Sequence, residues 1–170
     1  MPFSHDRAGP GAVPVRADRA VEVALGSWEQ VGEQARAVRH AVFVVEQRIP
    51  VEEEWDQWDA LSLHAVARDA GGRAIGTGRL LPPQFDADSA TGHIGRMAVL
   101  ASVRRSGAGS AVLQALMRAA PGQGYGAIVL HAQSYVAPFY ARHGFVAEGA
   151  GFLEVGIPHV RMRAPLVAPE

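Results

Sequence analysis

The 170-residue chain contains no cysteine, which excludes disulfides, thiolate metal sites and a cysteine-bound acyl intermediate. Lysine is absent as well, since all 16 basic residues are arginines. That removes the lysine of a Walker phosphate loop, a pyridoxal Schiff base and any lysine nucleophile. No apolar run approaches the ~18 residues of a membrane-spanning helix, and no basic region followed by an apolar segment marks a secretory signal. A formal charge of -1 with scattered arginines leaves no basic stripe for nucleic acid. Neither a membrane nor a nucleic acid is the expected partner, and the expected location is cytoplasmic. The Gly-x-Ser-x-Gly elbow and the His-Glu-x-x-His helix are missing. The seven histidines fall at spacings that suggest no metal.

What is present suits one domain of ordinary composition, 48% hydrophobic and long enough to bury about two-thirds of its unfolded surface. Residues 1–18, rich in Gly, Pro and charge without periodicity, read as a disordered leader. Residues 19–166 then form the single domain. Val21 to Leu25 is a short strand, and Ser27 caps a helix in which Trp28, Val31, Ala35, Val38 and Val42 recur at helical spacing. That helix is expected to break between Phe43 and Pro50. An acidic loop from Val51 to Leu61 follows, then a hairpin of Leu63 to Ala67 and Ala74 to Leu81 around a two-residue Gly71-Gly72 turn. After a polar loop, Pro82 to Asp88, comes the central strand, and a last hairpin runs from Val146 to Arg163.

The richest stretch is His93 to Ala120, where the central strand passes through Arg104-Arg105-Ser106-Gly107-Ala108-Gly109 into an amphipathic helix. Ala108, Ala111, Val112, Ala115, Leu116 and Ala119 mark that helix's expected buried face. A helix N-terminus carries unpaired N–H donors and roughly half a positive charge, so a pyrophosphate can settle there if no side chain intervenes. Gly107 and Gly109 remove side chains, while Arg104 and Arg105 add permanent charge. The dinucleotide fingerprint is excluded, because Val112 stands where its third glycine belongs.

Arg-x-x-Gly-x-Gly between Met97-Ala98-Val99 and a long helix resembles the coenzyme A loop of the GNAT superfamily of acetyl-CoA-dependent N-acetyltransferases. Ile128 to Gln133, followed by Phe139-Tyr140-Ala141-Arg142-His143-Gly144-Phe145, resembles that superfamily's second cofactor segment. Arg39 to Gln47 and Gly156 to His159 are similar to its ElaA-like branch. Together these matches cover most of residues 20–165. The resemblance implies an α/β (α+β) fold with a central mixed, mostly antiparallel sheet, splayed central strands and helices on both faces. It implies acetyl-CoA as cosubstrate, held by Met97, Ala98, Val99, Arg104, Arg105, Ser106, Gly107, Ala108, Gly109, Ser110 and Gln133, with a backbone N–H near Val99 facing the thioester oxygen.

A lysine-like amine has a pKa near 10.4, so neutralising it at pH 7 costs roughly 4 to 5 kcal/mol. Glu46, Glu154, His159 and His93 could take that proton. Glu46 and His159 are favoured because they lie in the blocks similar to the ElaA-like branch. Tyr140 matches the superfamily's general acid, and a phenol with pKa near 10 stays protonated to serve a departing thiolate. The loop Glu52 to Asp59, with Trp55 and Trp58, could cover a cationic acceptor or be solvated surface.

The expected activity is direct acetyl transfer to a primary amine on a small molecule or peptide. Two alternatives are a catalytically silent acyl-CoA-binding regulatory module, which needs neither Tyr140 nor a base, and an acyl-homoserine-lactone synthase-like enzyme, suggested by the arginine and Val-Phe of the first helix. The oligomeric state is open, a homodimer included.

Overall fold

The computed structural model describes residues 21–167, so the leader read over residues 1–18 lies outside them. β1 (Glu22–Gly26) leads into α1 (Trp28–Arg39). Ser27 and Gln30 cap the helix reciprocally: the Gln30 N–H donates to Ser27 Oγ at 3.3 Å and the Ser27 N–H to Gln30 Oε1 at 2.9 Å. The expected break falls within Phe43–Pro50, after Glu46, with the next helix starting at Val51. Up to that break α1 continues as a π-helical segment, His40–Glu46, closed by the Gln47 N–H donating to Val42 O at 2.9 Å. Val42 and Phe43 stay buried, and the wider winding delivers Glu46 and Gln47 at the segment's end. The acidic loop contains α2 (Val51–Glu54) and a 3₁₀ turn, Asp59–Leu61.

β2 (Leu63–Arg68) and β3 (Ala74–Leu80) form the expected hairpin. Its connection spans Asp69–Arg73 rather than two residues. The Asp69 carboxylate accepts from the Gly71 and Arg73 N–H groups at 2.9 and 3.0 Å, and Gly72 adopts φ 83.

β4 (Thr91–Val99), α3 (Ala108–Ala119), β5 (Ala127–Gln133), α4 (Ala137–Ala141), β6 (Val146–Glu154) and β7 (Ile157–Pro165) complete the chain. The strands form one sheet in the order β1-β2-β3-β4-β5-β7-β6. Every neighbouring pair is antiparallel except β4 and β5. Those two pair in parallel only through Thr91, Gly92 and His93, opposite Ala127, Ile128 and Val129. Beyond His93 they part, which is the splay expected of the sheet.

Helices cover both faces. On one, Val38, Val42 and Phe43 pack on Ala98. On the other, Val112, Leu113, Leu116, Tyr140 and Phe145 join Ile75, Ile94 and Ile128 in the main core. The buried face of α3 is Ala108, Val112, Leu113, Ala115 and Leu116, rotated from the expected stripe so that Ala111 and Ala119 are only half-buried. Burial scales with apolar area, so a leucine outcompetes two alanines for the core. Gly78 lies under this helix; a Cβ there would overlap Met97 Sδ and come within 3.0 Å of Val112.

Candidate active site

A 3₁₀ turn, Ala101–Val103, carries the chain from β4 into Arg104–Gly109. Two residues of Arg104–Gly109 are left-handed, Gly107 at φ 92 and Arg105 at φ 68. Glycine adopts that conformation freely; the arginine does so under strain. The Ala108 N–H lies 3.3 Å from Ser106 Oγ, and the Ala111 N–H returns to Gly107 O at 3.0 Å. Between them, the Gly109 and Ser110 N–H groups have no intrahelical acceptor. They form an open donor pair at the positive end of α3. A Cβ on Gly109 would rest 3.4 Å from Val99 and 3.5 Å from Phe139. Beside them, Ser110 Oγ is 3.0 Å from His143 Nε2, and burial, reinforced by the Arg142 charge, holds this imidazole below its ordinary pKa.

The end of β4 faces the gap. The Leu100 N–H donates to Ile75 O at 2.9 Å while Gly76 stands opposite Val99. In an antiparallel ladder that register turns the Val99 N–H and C=O away from β3, toward the space β5 has vacated. Arg104 Nε donates to this Val99 oxygen at 3.2 Å. Met97 packs toward α3 and Ala98 toward α1, so both side chains are also core contacts.

Tyr140 lies in α4, whose first turn accommodates Pro138 and whose end is marked by Gly144 at φ 91. Its ring packs edge-on to Phe139 and Phe145, at centroid distances of 5.0 and 5.8 Å. Burial pushes the phenol well above its ordinary pKa, which keeps the proton on. The hydroxyl donates to no described residue, yet it is not sealed in: the only sealed side-chain polar atom without a partner among the described residues is Arg79 Nε.

His159 sits on β7 opposite Gln133 of β5 and is 5% exposed. Its Nδ1 is 2.7 Å from Ile157 O. A carbonyl only accepts, so this bond assigns a proton to Nδ1, and Nε2 is the nitrogen left to accept one in the neutral tautomer. Nε2 faces Glu154 Oε2 at 3.5 Å, and Glu154 Oε1 is 3.1 Å from His131 Nδ1. Among the described residues, no group of three or more His, Asp or Glu is arranged to hold a metal ion.

Glu46 and Arg104 find each other: Arg104 Nη1 and Nη2 donate to Glu46 Oε2 and Oε1, both at 2.6 Å. The hydrogen bond from Arg104 outweighs partial burial and holds this carboxyl below the ordinary glutamate pKa. The next residue, Gln47, exchanges amide hydrogen bonds with Gln133 at 3.2 and 3.0 Å, tying the π-helical segment to β5 across the gap. His93 is engaged at 2.8 Å by Asp86 and packs edge-on to Phe85.

Beneath this lies a charge network. Arg39, Glu54, Asp59 and Arg79 are each no more than 4% exposed. Arg39 bonds Glu54 and reaches Asp59 at 2.7 and 3.1 Å. Arg79 bonds Asp59 at 2.9 Å and both oxygens of Asp56 at 2.7 Å. Burial works against the Asp56 anion, but these Arg79 contacts overcome it and keep its pKa low. Arg36 and Arg39 also stack near Trp55, 4.7 and 5.8 Å from its ring centroid. Half the loop read as acceptor cover or solvated surface is therefore structural, with Glu54 and Asp59 buried and Trp55 laid over α1 arginines.

A family model described as an acetyltransferase (GNAT) domain matches residues 31–166. The chain belongs to the GNAT acetyltransferase family. It is 38% identical over 143 residues to the uncharacterized N-acetyltransferase YjcF of Bacillus subtilis, covering 84% of this chain and 98% of the relative. An acyl-CoA N-acyltransferase from Pseudomonas aeruginosa superposes with a TM-score of 0.72 at 28% identity, covering 85% of this chain and 99% of that one. Escherichia coli ElaA shares the fold, with a TM-score of 0.73 at 23% identity over 85% of this chain and 99% of ElaA.

As a GNAT member the chain is an acyltransferase. Among its described residues no helix is long and apolar enough to cross a membrane. Sequence reasoning placed Gln47, His131 and His143 inside the matched segments but gave them no role, and it missed the network that joins Arg39 to Arg79. One signal was available: Arg79 interrupts an otherwise small and apolar strand, Ala74–Leu80, and an arginine buried there must be paired.

Proposed function

We propose that this GNAT domain transfers an acetyl group from acetyl-CoA directly to a primary amine on a small molecule or peptide. The observation that carries the reading is the parting of β4 from β5 beyond His93 and Val129, with the Val99 N–H turned into the opening. The cosubstrate fits the residues at its mouth. The Gly109 and Ser110 N–H groups suit a pyrophosphate, Arg105 adds charge, and the edge of β4 past Met97 offers backbone groups to the pantetheine amides.

His159 Nε2 takes a proton from the acceptor nitrogen, and Glu154 beside it stabilises the imidazolium that forms. The freed amine attacks the thioester carbonyl, whose oxygen meets the Val99 N–H as charge builds. The C–S bond breaks, and Tyr140 donates its proton to the departing thiolate. The attacking nitrogen sheds its second proton as the amide forms, solvent relays a proton back to the Tyr140 phenolate, and His159 releases to solvent the proton it took. Glu46, neutralised by Arg104, is a poor base in this arrangement and serves instead to hold the arginine.

A second reading, an acyl-CoA-binding module without turnover, draws on that same Glu46–Arg104 pair, which engages one favoured base. A thermal-shift and thiol-release experiment separates the two. Acetyl-CoA at ~100 times its dissociation constant contributes about 2.7 kcal/mol to stability, so melting should rise in either case. Release of free thiol with a panel of amines is expected only of the enzyme. No shift with any acyl-CoA overturns both.

A further inference from the structure

The register between β3 and β4 slips inside the gap. Arg79 faces Gly95 and Thr77 faces Ala98, so Gly78 stands against two residues, Arg96 and Met97. This is a β-bulge, and Arg96 pays for it with a left-handed backbone at φ 52. The two side chains take opposite faces of the sheet. Met97 packs toward α3, whereas Arg96 reaches the face where α2 lies, with Nε 3.4 Å from Glu54 O and Nη2 3.4 Å from Asp56 Oδ2.

Those are poor bonds for a guanidinium. The neighbouring carboxylates are already committed: Glu54 and Asp59 to Arg39, and Asp56 and Asp59 to Arg79, at distances of 2.7 to 3.1 Å where Asp56 and Asp59 are concerned. Arg96 has only their outer edges, its Nη1 has no partner among the described residues, and its side chain is 31% exposed. A strained backbone therefore presents an under-used cation to the cleft.

The opposite wall carries the complementary charge. His93 pairs with Val129, and alternation along β5 puts His131 and Gln133 on one face. Gln133 meets Gln47, so that face is the one Arg96 also addresses. His131 holds Glu154, which faces His159 Nε2 at 3.5 Å.

We infer that the acceptor is an amine that also bears a carboxylate, an amino acid or a close relative, with Arg96 gripping the carboxylate while the amine meets Glu154 and His159. This rests on the acetyltransferase reading above and narrows it to a substrate class. Arg96 acts as a specificity-determining residue, because two charges on opposite walls fix which end of the acceptor faces the thioester.

The test compares α-, β- and γ-amino acids with their carboxamides as acceptors for acetyl-CoA, in the wild-type chain and in Arg96→Gly and Arg96→Lys. Glycine suits the left-handed position, so that variant removes the guanidinium without straining the backbone. The acid is expected to exceed its carboxamide in kcat/KM by roughly 10- to 100-fold. Arg96→Gly should collapse that ratio toward one, and Arg96→Lys should restore part of it. A wild-type ratio near one, or a ratio unchanged in Arg96→Gly, overturns the inference. If no amine is acetylated, the acetyltransferase reading itself fails. Calorimetric binding of the same ligands to CoA-saturated protein then decides the carboxylate site: a preference for acids that Arg96→Gly abolishes upholds it, and equal or absent binding of both overturns it.

Discussion

Arg104 and Glu46, 58 residues apart in sequence, form a two-pronged ion pair with both N···O distances at 2.6 Å. The pair joins the turn before α3 to the end of the π-helical segment. Its side chains are 41% and 38% exposed, so it contributes little to stability. The guanidinium is held by a carboxylate that would otherwise be free to act as a base, and Arg104 is bonded to Val99 O as well.

Glu46→Gln is expected to weaken the competition for Arg104 and to tighten acetyl-CoA binding by roughly three- to tenfold, while turnover stays within about tenfold of wild type. Calorimetry and initial rates check both halves. A hundredfold loss of turnover with unchanged affinity would return the base role to Glu46. Because the folded carboxyl has a depressed pKa, the pair's stabilisation is present above the ordinary glutamate value of about 4.3 and is lost as pH falls through the lower folded value.

Tyr140→Phe should lower turnover by about 100-fold or more, as expected for loss of a general acid, with acetyl-CoA affinity nearly unchanged. Single-turnover kinetics beside equilibrium binding distinguish this from a packing defect. Burial raises the folded phenol's pKa, so its stabilising contribution is complete below the ordinary value near 10 and is lost as pH rises toward the folded value. Melting temperature in Tyr140→Phe should accordingly fall less steeply than wild type above pH 10.

Arg105→Gly sets strain against charge. Relief of the φ 68 backbone should stabilise the fold by about 1 kcal/mol, or roughly 2 to 4 °C in melting temperature. Loss of the cation should weaken binding of coenzyme A by about three- to tenfold. A fall in melting temperature would mean that the side chain, not the backbone, dominates at this position.

Asp59→Asn removes the carboxylate shared by Arg39 and Arg79 and leaves buried guanidinium charge under-compensated. The expected cost is about 3 kcal/mol or more, seen as a drop of roughly 6 to 12 °C. Calorimetric melts check it; a change under about 2 °C would show that Glu54 and Asp56 compensate alone.

Periodicity and caps made the elements legible: Ser27 caps α1 where the sequence expects it, and Pro138 fits the first turn of α4 with Gly144 at its end. The π winding of His40–Glu46 was not legible, because it depends on what the widened turn packs against. The acidic loop was misread for a related reason. Composition alone does not distinguish a solvated carboxylate from Glu54 or Asp59, whose partners, Arg39 and Arg79, lie 15 to 20 residues away.

The sequence by itself determined the family, the strand-turn-helix with its two glycines, and the chemical candidates at Tyr140 and His159, since each is a matter of local pattern and residue type. Only the tertiary structure decided which charges meet. Glu46 is paired with Arg104, Arg39 and Arg79 share Asp59, and the bulge opposite Gly78 leaves Arg96 with donors to spare. Ionic and hydrogen-bonding strength depend on distances of a few ångströms between residues far apart in the chain, and those distances exist only once the sheet has closed and then parted.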